Sequence, residues 1–187
     1  MLKRFFPLAL AVVLLGITGV ANAQLDSRQS AAQSATSEYE NFLKRTDAVI
    51  VTQSYSLPNL PGGGGFRTSA KVAWALGETQ KVYALDISGR IIDFHQLANI
   101  EDGLNKMIRA VNTSFDTFNA SSMSYSSQFG VSASYYSYVT DGSDKPRRNL
   151  YLVAGSYTFQ SPNTEPLSQF RDLIMAARQK LIALGAK

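Results

Sequence analysis

The chain holds one histidine, His95, and no cysteine, so imidazole chemistry is confined to a single position and thiol chemistry is excluded. Asp93 stands two residues before His95, with Glu101 and Asp102 shortly after. A carboxylate and an imidazole at a strand-to-helix junction are groups that a small hydrolase or a metal-dependent enzyme can use. Asp93 and His95 therefore define an alternative, enzymatic site. The features that accompany such chemistry are missing. No Gly-x-Ser-x-Gly elbow is present. Asp86, Asp93, Glu101 and Asp102 follow no metal-ligand spacing. Asp141-Gly142-Ser143-Asp144 lacks the alternate ligands and distal glutamate of a calcium loop. Four glycines at residues 62–65 lead into Phe66-Arg67-Thr68-Ser69 and not into Gly-Lys-Ser/Thr and a helix, so they read as a connection and not as a phosphate cradle. Neither a metal nor a cofactor is implied.

A different pattern recurs near the C-terminal half, where apolar residues alternate with tyrosines. Phe129, Val131 and Ala133, with Leu150, Leu152 and Ala154, mark one side of a hairpin. The opposite side then carries Tyr136, Tyr138, Tyr151, Val153 and Tyr157. An aromatic second face is either covered by another element, the first helix with Tyr39, Phe42 and Leu43 being the available cover, or it is a docking platform. Tyrosine suits docking because it supplies large contact area at low entropic cost and keeps its hydroxyl hydrated when nothing is bound. Tyr136, Tyr138, Tyr151 and Tyr157 are the expected binding residues. Lys145, Arg147 and Arg148 form a basic hairpin end, read as a solvated turn.

The elements that must position these residues follow from periodicity. Apolar residues at three- and four-residue steps from Ala32 to Leu43 predict a first helix ending near Thr46. A β-branched run at residues 48–52, extended by Tyr55 and Leu57 and stopped by Pro58, predicts a strand. After the glycine run, short turns join strands over residues 69–76, 81–87 and 91–94, an antiparallel meander because such turns cannot make parallel crossovers. Ile100, Leu104, Met107, Ile108, Val111, Phe115 and Phe118 form one helix stripe, with Asn99 as its cap. Residues 119–122 end that helix, and strands at 125–139 and 148–159 follow. A last helix starts near Thr164, tolerates Pro166 in its first turn and stops at Gly185. The expected fold is α+β, in the order α-β-β-β-β-α-β-β-α. One antiparallel sheet of about six strands carries two amphipathic helices on one face, with an N-terminal helix besides. No stretch of sequence repeats another.

Residues 1–23 predict an export signal: Lys3 and Arg4, an apolar run at residues 5–20, and Ala21-Asn22-Ala23 at the cleavage point. No cysteine follows to take a lipid, and no later segment is apolar enough to span a bilayer. The leader holds two of the 18 basic residues and none of the 14 acidic ones, so the processed chain carries 16 against 14, or +2. That balance argues against a nucleic-acid partner, which needs a concentrated basic face. An exported chain without cysteine has no disulfide and must be stabilised by packing alone. The predicted organisation is a signal peptide at 1–23, a flexible segment or helix start at 24–37, and one globular domain at 38–187. These features predict a periplasmic or secreted, non-enzymatic envelope domain. Its partner is an envelope protein, a peptide or a glycan held on the tyrosine-rich face. The alternatives are a small hydrolase or metal-dependent enzyme at Asp93 and His95, and a structural subunit that associates with itself.

Overall fold

The computed structural model describes residues 36–59, 67–114, 120–140, 146–155 and 157–187. The leader at 1–23, residues 24–35 of the following segment, the glycine run, Phe115 and Phe118 of the predicted stripe, and the turn at 141–145 lie outside the described residues. In chain order the elements are α1 (Glu38–Leu43), β1 (Ile50–Ser56), β2 (Thr68–Ala75), β3 (Lys81–Ile87), β4 (Arg90–Asp93), α2 (Phe94–Ser114), β5 (Ala120–Ser126), β6 (Val131–Tyr138), β7 (Arg147–Ala154), β8 (Tyr157–Ser161) and α3 (Glu165–Ala183).

The fold is α+β with antiparallel strands, but the single sheet of about six strands is corrected to two sheets of four. Sheet 1 runs β1-β2-β3-β4 and sheet 2 runs β5-β6-β7-β8. Each half of the chain is thus a four-stranded meander followed by a helix. The extra strands arise because both long strands expected in the C-terminal half are broken by a turn. Gly130 (φ +72°) and Gly155 (φ +61°) adopt backbone conformations that a Cβ disfavours, and the chain reverses at each. The hydroxyl of Ser127 closes the first reversal by accepting the amides of Phe129 and Val131 at 3.3 and 3.2 Å. Residues 120–122, expected to end a helix, instead begin β5.

Helix α2 starts at Phe94, directly after β4, and not near Asn99. Leu97 is buried one turn before Ile100, so the apolar stripe extends further back than the sequence pattern suggested. Helix α3 buries Leu167, Phe170, Leu173, Ile174, Ala177 and Leu181. It ends where expected, with the Gly185 and Ala186 amides donating to the Ile182 and Leu181 carbonyls at 2.9 and 3.0 Å.

Sheet 1 is covered on both faces. On one face Ala73, Ala75 and Ala84 present only methyl groups, and Tyr39 and Phe42 of α1 pack over them beside Val82. Full burial of each ring contributes roughly 1.5–3 kcal/mol. On the other face Ala70, Leu85, Ile87 and Ile92 meet Phe170, Ile174, Ala177 and Leu181 of α3. The same core cluster continues through Leu97, Ile100, Leu104 and Met107 of α2 to Val131, Ala133, Tyr135, Leu150, Leu152 and Ala154 of sheet 2. Arg90 joins the sheets: its Nε donates to the Phe129 carbonyl at 2.6 Å, and a Cβ at Gly130 or Gly155 would lie 3.2 or 3.0 Å from its side chain. No helix among the described residues is long and apolar enough to cross a membrane.

Candidate functional site

Asp93 is buried at the end of β4, and both its oxygens are taken by the start of α1. Oδ2 accepts the Glu38 amide at 2.7 Å and Oδ1 the Tyr39 amide at 3.1 Å. Two of the four amides that a helix start leaves without partners are satisfied in this way, and the negative charge lies at the positive end of the helix. Ser37 and Glu40 add a reciprocal capping box, with Glu40 N to Ser37 Oγ at 3.0 Å and Ser37 N to Glu40 Oε2 at 3.2 Å. His95 lies in the first turn of α2 with its side chain 57% exposed, and its Nδ1 is 4.0 Å from Glu38 Oε2. The geometry therefore commits Asp93 to anchoring α1 and leaves His95 in solvent. Among the described residues no group of three or more His, Asp or Glu side chains is placed to hold a metal ion.

The second region is sheet 2. Strands β6 and β7 alternate strictly, and Val131, Ala133, Tyr135, Leu150, Leu152 and Ala154 point into the core. Their neighbours therefore point outwards. Cα pairing sets Tyr136 opposite Ser122 and Asn149, Ser134 opposite Ser124 and Tyr151, Ser132 opposite Val153, and Tyr138 opposite Arg147. Strand β8 adds Gln160 beside Tyr151 and Thr158 beside Val153. The rings of Tyr136 and Tyr151 meet edge to face, with centroids 5.8 Å apart and planes at 80°, the arrangement that aromatic quadrupoles favour. Tyr136 is 37% exposed. Gln160 Nε2 donates to Asn149 Oδ1 at 3.4 Å across the same face.

The face expected from the sequence is present for Tyr136, Tyr138 and Tyr151, which the structure brings together. Tyr157 pairs in register with Ala154, and its side chain lies outside the described residues. The first helix does not cover these tyrosines, because α1 packs on sheet 1 over Ala73, Ala75, Val82 and Ala84. Sequence reasoning missed the polar members of the face: Ser122, Ser124, Ser132, Ser134, Asn149 and Gln160. Their signal was the same alternation that located the tyrosines, continued through residues that carry no hydrophobic cue.

The electrostatics of sheet 2 are one-sided. None of its four strands contains an acidic residue, and the charged positions within them are Arg147 and Arg148. At this basic end Tyr138, Pro146, Arg147, Arg148, Asn149, Pro162 and Asn163 line an open groove of about 670 Å³, a volume within the range of small-molecule sites. The surface as a whole offers hydroxyls, amides, aromatic rings and one cationic end. No protein-family model matches the chain, and no curated protein matches its sequence.

Proposed function

We propose that this chain is an exported, non-enzymatic binding module of the cell envelope, and that the outer face of sheet 2 holds an extended polar polymer, a glycan in particular. The observation that carries the reading is that α1 lies on sheet 1, so the rows around Tyr136, Tyr138 and Tyr151 carry no cover from it. Sugar rings present C–H faces that pack on tyrosine and hydroxyls that pair with serine, asparagine and glutamine. Val153 is the lone aliphatic side chain among the outward positions named on β6, β7 and β8, whereas the buried centre of a protein interface is more apolar. The leader pattern at residues 1–23 supports export.

The test is titration of the processed chain with oligosaccharides, comparing wild type with a Tyr136→Ser, Tyr151→Ser double variant. Binding is lost in the variant while its melting temperature stays within a few degrees of wild type. A large fall in melting temperature would show that the rings are structural and would defeat the reading.

A second reading, self-association, draws on one feature of sheet 1. Its outer strand β1 contains no charged residue and no proline, two of the devices that blunt an open edge. Size-exclusion mass measured across concentrations decides it: a constant monomer mass removes this reading.

A further inference from the structure

We propose that the groove at the Arg147 end of sheet 2 is a subsite for a carboxylate on the bound glycan, so that the ligand is an acidic, uronate-type polysaccharide. The inference rests on the reading of the tyrosine face as a glycan surface, and it adds the charge of the ligand. Three observations converge on it. The groove adjoins the platform, since Tyr138 lines it and follows Tyr136 on the same side of β6. A polymer lying along that strand therefore runs into it. The groove's polar lining can supply donors: the guanidinium groups of Arg147 and Arg148, the side-chain amides of Asn149 and Asn163 and the hydroxyl of Tyr138. Arg147 is exposed. No strand of the sheet carries an acidic residue, so the charge that the strands themselves bring to the groove is positive. The guanidinium fork matches a carboxylate through two parallel hydrogen bonds, which adds direction as well as attraction.

The experiment compares an oligogalacturonate with its fully methyl-esterified counterpart, which keeps the length and backbone but removes the charge. Each is titrated into wild type, Arg147→Gln and Tyr136→Ser. Wild type binds the acid form about tenfold more tightly than the ester, the scale of one charge-assisted contact. R147Q loses that preference and binds the two forms within about twofold of each other, and its dependence on salt flattens. Y136S weakens both forms. Equal binding of acid and ester by wild type, with both lost in Y136S, overturns the carboxylate subsite and leaves the tyrosine face standing. A preference for the acid that survives in R147Q also overturns the subsite. Failure of wild type to bind either form overturns both.

Discussion

The ring of Tyr125 in β5 lies directly over Gly103 in α2, in the space that a side chain at that position would occupy. The Tyr125 hydroxyl reaches the Asn99 carbonyl at 3.4 Å, and burial, followed by the nearby Asp102, pushes its ionisation above the ordinary tyrosine range. Sheet 2 is thus fastened to α2 through a glycine within a helix, a position where glycine is usually a cost of about 1 kcal/mol relative to alanine.

That contact reverses the usual sign of a helix substitution. Gly103→Ala should destabilise the protein by roughly 1–3 kcal/mol, because the added methyl collides with the Tyr125 ring. In a Tyr125→Ala background the same change should be neutral or stabilising. A urea double-mutant cycle reads both values, and a stability gain from Gly103→Ala in wild type would refute the contact.

Asp93 acts across more than fifty residues of sequence by capping α1. Asp93→Ala should cost about 1–3 kcal/mol and should free α1 before the rest of the fold. Hydrogen exchange at the Glu38 and Tyr39 amides should accelerate, with the Leu150 and Leu152 amides remaining protected. Unchanged exchange at Glu38 and Tyr39 would show that the carboxylate has another role.

Ser137 is 1% exposed on the core side of β6, and among the described residues its Oγ has no hydrogen-bond partner. Burying such a group without a partner is unfavourable, so Ser137→Ala should leave stability unchanged or raise it by about 1 kcal/mol. Thermal melts test this, and a loss beyond that range would show that the hydroxyl is satisfied in solution.

Arg45 grips both oxygens of Glu78, at 2.8 and 2.7 Å, and also contacts Asp47. Its hydrogen bonds hold both carboxyls below their ordinary range. A carboxyl depressed in the folded state stabilises above its unfolded pKa, and the contribution is lost as pH falls through the lower, folded value. The melting temperatures of wild type and Arg45→Met should therefore differ slightly near neutrality and converge as the pH drops below about 4. A difference that persists in acid would contradict the ion-pair origin. Its exposed position keeps the effect small.

The order of elements is largely legible in the sequence, because α3 and the meander of sheet 1 carry unbroken periodicity. Leu167, Phe170, Ile174, Ala177 and Leu181 repeat at helical spacing up to Gly185, and β2 and β3 alternate between flanking turns. Sheet 2 is legible only in part. Gly130 and Gly155 sit inside runs whose β propensity continues on both sides, so each turn hides within an apparent strand. The serines of β5 look like a helix terminus, since serine favours caps and turns as readily as an outward strand position. The tyrosine face is legible for Tyr136, Tyr138 and Tyr151 because the parity from Val131 and Leu150 carries through without interruption. Tyr157 follows the Gly155 turn, where parity must be counted afresh. The role of Asp93 is not legible at all, because its partners are backbone amides far away in sequence.

Amide chemical-shift mapping of the processed chain with oligogalacturonate tests the binding role of sheet 2 most directly. The predicted result is saturable shifts at Ser134, Tyr136, Tyr138, Asn149 and Tyr151, with the amides of α1 and sheet 1 unmoved. Shifts centred on His95 or on sheet 1, with the tyrosine rows silent, would contradict it.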